Sequence, residues 1–154
     1  MAFTTPDGTY GITMKPNRAM KWFMARQVTV IRKGKQTKMM GIPVLVLVTM
    51  GRTSGKTYET PVGYWVQHGG SWLVCASAGG AAKNPAWYRN LAAAPDDARI
   101  VLAGEEIPVA AQELHGAERD SAWRQITQAA PRFAGYTKKT DRVLPVIRLT
   151  RRTA

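Results

Sequence analysis

The chain has 154 residues, 45 % of them hydrophobic, one cysteine and a formal net charge of +12. That length suits one domain able to bury roughly 68–70 % of its unfolded surface, and the composition excludes intrinsic disorder. The lone Cys75 excludes an internal disulfide and fits a reducing, cytoplasmic setting.

The longest apolar run, Pro43 to Val48, is far short of the ~20 residues that a membrane-spanning helix needs. Lys21 and Arg26 interrupt the first apolar stretch, so no secretory signal pattern stands there. Charge is unevenly placed. Residues 1–40 carry +7, residues 138–154 carry +5, and residues 41–137 sum to zero. A neutral body with two basic ends points to a polyanionic surface, phospholipid or nucleic acid. Nucleic acid has only the charge in its favour, because no recognition motif accompanies it.

Residues 1–16, with two prolines and two glycines, read as an irregular leader. From Asn17 to about Arg32 the residues Met20, Phe23, Met24, Val28 and Ile31 recur at helical spacing, with Arg18, Lys21, Arg26 and Arg32 among the rest. A basic amphipathic helix follows, with Trp22 near its boundary. It either packs on the body with its cations in water or lies on an anionic membrane. Lys33 to Lys38 reads as a charged linker, and Met39-Met40 as the return to the core. A leader and helix (1–40), one domain (41–150) and a basic tail (151–154) are the expected organisation.

A strand is expected at 43–50, then a turn at Gly51 to Lys56, then a strand at 57–67 with Tyr58, Thr60, Val62, Tyr64 and Val66 on one face. His68-Gly69-Gly70 turns the chain into a strand at 71–77. A second glycine-rich turn, Ser77 to Pro85, leads into a helix at 85–94, with Asn84 as N-cap and Pro85 as its first residue. Strands at 98–103 and 106–114 flank Gly104, and a helix at 117–130 turns Trp123 and Ile126 inward. The last strand, 143–149, contains Pro145 and is expected at an edge. Six strands with short connections and short helices predict a small, mainly β, barrel-like sheet rather than a doubly wound fold.

The two glycine-rich turns carry the chemistry. Glycines let backbone N–H groups converge on a ligand, Arg52, Lys56, Lys83 and Arg89 add positive charge, and a helix start favours an anion. Together they suggest a cradle for a phosphorylated cofactor, although each turn alone is also a plain loop. His68 and His115 lack the neighbours that a metal site needs. Asp96-Asp97 and Glu105-Glu106 sit in turns and read as solvated, Cys75 as inert core. No nucleophile elbow, zinc-protease helix or phosphate loop ending in Gly-Lys-Ser/Thr is present. Chemistry supplied by a bound cofactor needs none of these.

Thr49-Met50-Gly51-Arg52, Ser54-Gly55, Thr60-Pro61, Ala76-Ser77, Gly79-Gly80, Lys83-Asn84-Pro85, Trp87-Tyr88, Asn90-Leu91, Pro95 and Thr140-Asp141-Arg142 form one longer pattern. It resembles the deazaflavin (coenzyme F420)-dependent nitroreductases of actinobacteria over about residues 15–150. The resemblance implies a split β-barrel of the FMN-binding type and hydride transfer from reduced coenzyme F420 to a quinone, nitroaromatic or activated alkene. Arg52, Thr53, Ser54, Lys56, Ser77, Ala78, Gly79, Lys83, Ala86, Trp87 and Asn90 would then hold the cofactor, while Tyr64, Ser77 and Tyr136 would face the ring or the acceptor. It also implies a peripheral membrane contact through the basic helix, and a homodimer is a further expectation. Thr53, Tyr58 and Ala78 stand where better-known members carry cations. They keep an alternative open: a relative loaded with FMN, with a fatty acid, or with nothing.

Overall fold

The computed structural model describes residues 3–12, 17–67 and 69–152. The expected turn residue His68 and part of the leader lie outside them. A helix, α1 (Arg18–Arg32), begins at Asn17, whose side-chain oxygen accepts from Met20 N–H. Eight strands follow in one antiparallel sheet: β1 (Thr37–Met39), β2 (Ile42–Met50), β3 (Thr57–Gly63), β4 (Trp65–Val66), β5 (Trp72–Cys75), β6 (Ala98–Leu102), β7 (Glu105–Glu113) and β8 (Val146–Arg151). Between them lie α2 (Ala86–Ala93), α3 (Gly116–Ala129) and α4 (Arg132–Tyr136).

The strand order is β1-β2-β6-β7-β8-β5-β4, with β3 on the other side of β2. β3 and β4 thus stand at opposite ends of the sheet, yet only Tyr64 separates them in sequence. The covalent chain therefore curls the sheet back on itself into a half-barrel. β2 is buried on both faces. Val44, Val46 and Val48 meet Ile31 of α1 and Val101, while Leu45 and Leu47 point into the interior with Trp87, Tyr88 and Leu91 of α2. A third cluster packs Leu114, Ala122, Ile126 and Phe133 beneath α3 and α4.

Five expectations change here. The supposed linker holds β1, because Met40 and Gly41, both at positive φ (51° and 83°), make the two-residue turn that matches strand twist. Met40 is then the tip of a hairpin, 76 % exposed, and not a core residue. The single strand expected at 57–67 is broken at Tyr64, which shifts the alternation so that Trp65 is buried and Val66 exposed. The last strand is interior, between β7 and β5, because Pro145 precedes it and offers only its carbonyl, to Ala76 N–H at 2.9 Å. Glu105 and Glu106 lie in β7 rather than in a turn, and Glu106 pairs with Arg99 at 2.6 Å. Ala103-Gly104 repeats the Met40-Gly41 turn, as the expected hairpin around Gly104 requires.

Met40 sits in the left-handed region with little contact to lose, and asparagine tolerates that region better. Met40→Asn is expected to raise stability by up to about 1 kcal/mol, read as a higher urea midpoint at unchanged slope.

Candidate functional site

The first glycine turn closes on itself: Gly51 N–H donates to Lys56 O at 2.7 Å, and Gly55 N–H to Gly51 O at 2.9 Å. A Cβ on Gly51 would stand 2.6 Å from both Ser54 Oγ and the Tyr58 ring, so any larger residue there would displace those two side chains at the cleft. Across from it stands the start of α2. Asn90, 5 % exposed, ties the two together. Its Oδ1 accepts from Arg52 N–H (3.3 Å) and Arg52 Nη1 (3.1 Å), and its Nδ2 donates to Thr49 Oγ1 at 3.3 Å.

Between them opens a cleft of about 250 Å³ lined by Thr49, Gly51, Arg52, Thr53, Ser54, Tyr58, Thr60, Ala86, Trp87 and Asn90. The lining holds one cation and no acid. Six of the residues expected to hold a cofactor are brought together here: Arg52, Thr53, Ser54, Ala86, Trp87 and Asn90. Lys56 and Lys83 are exposed on their loops and do not line the cleft.

The second glycine turn leads into α2, and Ser77, Ala78 and Gly79, expected at the cofactor, do not line the cleft. Ala78, Gly79 and Gly80 form a single 3-10 turn, all three at positive φ (46°, 64° and 90°). What holds this turn is Arg142, 3 % exposed. Its Nε donates to Ala81 O (2.9 Å), Nη1 to Ala76 O (2.8 Å) and Asn84 Oδ1 (2.6 Å), and Nη2 to Ser77 O (2.6 Å). Burial pulls the guanidinium below its ordinary pKa. The expected Asn84 cap fails for this reason. The carboxamide is taken by Arg142 and by Thr5 O, Pro85 becomes the N-cap, and no side chain caps α2. The first amides of α2 have no intrahelical acceptor and stand beside the cleft at Ala86 and Trp87.

Neither tyrosine expected at the ring lines this cleft. Tyr64 borders a separate groove with Gln36, Lys38, Pro43 and Leu102, and burial raises its pKa. Tyr136 stacks edge-on against Phe133 (5.2 Å between ring centres) under the Lys139 ammonium. Its carbonyl lies 3.3 Å from where a Cβ on Gly80 would stand, so α4 abuts the second turn at Gly80. Cys75 is half-buried, its thiol pushed up to about 12 by burial. No group of three or more metal-ligating side chains exists among the described residues.

Sequence reading missed Arg142 as the anchor of the loop, and it missed Glu113. That carboxylate, 1 % exposed, accepts from Tyr88 Oη at 2.7 Å, Thr4 N–H at 2.9 Å and Thr5 Oγ1. Burial and this hydrogen bond push the Tyr88 phenol up to about 12. A buried arginine and a buried glutamate far apart in sequence leave no local signal. The one available hint was an acid in the alternating β7 pattern at an inward position.

Four likenesses to known proteins bear on the site. The family model described as F420H(2)-dependent quinone reductase matches residues 18–151. An F420H(2)-dependent quinone reductase of Mycobacterium tuberculosis is 34 % identical over 113 residues, which cover 71 % of this chain and 74 % of that protein. The solved structure of an F420-H2 dependent reductase (FDR-A) superposes with a TM-score of 0.62 at 34 % identity, covering 70 % of this chain and 93 % of its own. A second solved structure, described as a domain-swapped dimer, has a TM-score of 0.65 at 30 % identity, covering 86 % of this chain and 99 % of its own.

Arg142→Lys keeps the charge but not the planar fork, and so leaves buried carbonyls unpaired. It is expected to cost about 2–4 kcal/mol in denaturant unfolding. The Tyr88 phenol stays neutral in the fold to a higher pH than in the unfolded chain. Its contribution is therefore complete below pH 10 and is lost as pH rises towards about 12. Tyr88→Phe is expected to flatten that part of the stability profile, measured by urea unfolding from pH 8 to pH 12.

Proposed function

The chain belongs to the F420H(2)-dependent quinone reductase family, and from that premise we propose that it passes hydride from reduced coenzyme F420 to a quinone. The observation that carries the assignment to a place is the cleft joined by Asn90. An acid-free wall, one guanidinium and uncapped helix amides suit an anionic cofactor, and Trp87 supplies an aromatic wall. The bound deazaflavin supplies the hydride. The protein's residues bind and orient it.

Arg52 is assigned to the phosphate-bearing tail, held at its angle by Asn90. Thr53 and Ser54 contribute hydroxyls, and Ala86 and Trp87 present backbone N–H groups. Lys56 and Lys83 add charge at longer range, and Ala78 and Gly79 shape the second turn. Ser77 and Tyr136 are assigned to the acceptor side, on the strength of the contact between the second turn and α4. Tyr64 borders its own groove, so any influence on the acceptor acts from there.

A lipophilic quinone is reached at a membrane surface. No helix among the described residues is long and apolar enough to cross a membrane. Yet the first turns of α1 expose Met20, Trp22 and Phe23 beside Arg18, Lys21 and Arg26, with no acid in the first turn. That combination supports peripheral contact with anionic lipid, each cation near the surface contributing about 1 kcal/mol. The domain-swapped neighbour supports a homodimer as a further proposal.

The purified protein is expected to quench its tryptophan emission on titration with coenzyme F420 and to oxidise the reduced form with menadione. Asn90→Ala is expected to weaken binding about tenfold or more, the effect of losing one charge-assisted bond. Ser77→Ala and Tyr136→Phe are expected to lower kcat with little change in affinity. Absence of both binding and turnover defeats the proposal, and a co-purified acyl chain or FMN would favour the alternative load.

A further inference from the structure

Residues 3–12 precede the family match, which begins at residue 18, yet they are bonded to the body along their whole length. Gly8 N–H donates to Ala82 O at 2.7 Å, and Ile12 N–H to Gly80 O at 3.3 Å, beside an isolated parallel bridge between Ile12 and Ala81. Asp7 accepts from Asn84 N–H at 2.8 Å and from the Arg89 guanidinium at 2.7 Å. Asp141 accepts from Thr9 N–H at 2.8 Å and from Tyr10 N–H at 3.2 Å. Thr4 and Thr5 complete the shell of Glu113, which holds Tyr88 of α2.

The seat is cut for glycine. A Cβ on Gly8 would stand 2.9 Å from Arg142 N, and one on Gly11 would stand 2.6 Å from both Ala82 N and Gly80 O. All of these partners are backbone and have no room to give. None of residues 3–12 lines the cleft, so the strap does not compete for it.

We infer that this N-terminal strap is a positioning element of the cofactor groove, bracing the 77–84 loop and α2 so that affinity depends on the strap being seated. The inference rests on the cofactor reading above. The loop it touches has three consecutive residues in the left-handed region and little regular structure of its own. A loop held in place before the ligand arrives spares the ligand the cost of ordering it. Asp7 also occupies Arg89, so that this cation anchors the strap instead of facing the ligand.

The test uses full-length Gly8→Val and Gly11→Val, which wedge the strap off its seat. A double variant, Asp7→Ala with Asp141→Ala, removes ties without adding volume, in case either valine hinders folding. Amide hydrogen exchange at residues 78–90 is expected to accelerate about tenfold, with β2 and β6 unchanged. Titration with oxidised coenzyme F420 should show Kd raised at least about fivefold. KM for the cofactor should rise alike, with kcat at saturation unchanged. Unchanged exchange, or exchange that quickens while Kd stays the same or falls, overturns the inference. Wild-type protein that binds no F420 overturns the cofactor reading instead, and exchange alone then decides whether the strap braces the loop.

Discussion

The loop between β5 and α2 exists in its observed form because one guanidinium fills it. Ala76, Ser77 and Ala81 turn their carbonyls inward, where no strand or helix can pair them, and Arg142 supplies four N–H···O bonds to them and to Asn84. Without those donors the buried carbonyls would each forfeit a hydrogen bond. Without the carbonyls a guanidinium 3 % exposed would be an unpaired charge. The consequence reaches the site. By claiming the Asn84 side chain, Arg142 leaves α2 without a side-chain cap, and the first amides of that helix remain available beside the cleft. A packing requirement thus creates a binding feature.

The cleft depends on a second joint of the same kind, smaller in scale. The first glycine turn connects β2 to β3, while α2 hangs from the second turn and packs Trp87, Tyr88 and Leu91 with Leu45 and Leu47 of β2. Asn90 adds the polar tie across the cleft, with one side chain bonded to Thr49 and to Arg52 on the opposite wall. Tyr64 provides the matching constraint for the sheet. Because it alone separates β3 from β4, the two ends of the strand order cannot drift apart, and β2 keeps both its faces covered.

What was legible in the sequence follows from this division. β2 announced itself by its run of Val and Leu, and the β6–β7 hairpin by Gly104, because strand preference and turn geometry are local properties. The cleft walls were legible too, since Gly51, Arg52, Ala86, Trp87 and Asn90 belong to two short contiguous motifs. β1 was hidden by the lysines of its own stretch and by Met40, a residue that rarely takes the left-handed turn position it occupies. β8 was misplaced because Pro145 was counted inside the strand it only precedes. Arg142 with Ala76, Glu113 with Thr4, and Asp141 with Thr9 pair residues from 66 to 132 positions apart. No short-range pattern encodes such a pairing.

The charge pattern shows the same lesson in its functional form. The sequence presents two basic ends, at residues 1–40 and 138–154, as equal invitations to a polyanion. Folding makes them unequal. Arg142 is buried, Arg148 is 3.0 Å from Glu118, and Arg152 bonds the carbonyls of Val109 and Ala98. Arg151 faces Glu105 at 3.7 Å. Much of the C-terminal excess is therefore consumed by the architecture of the sheet. At the other end Arg32 is spent on Glu59 and Glu106, but Arg18, Lys21 and Arg26 stay exposed, with Arg26 over the Trp22 ring. Charge and apolar surface coincide on the first turns of α1. Net charge alone cannot distinguish a chain that binds an anionic surface from one that uses arginines as structural donors. The fold makes that distinction residue by residue. Lys138 and Lys139 stay exposed at the C-terminal end, Lys139 over the Tyr136 ring, while on α1 three exposed cations stand beside exposed Met20, Trp22 and Phe23.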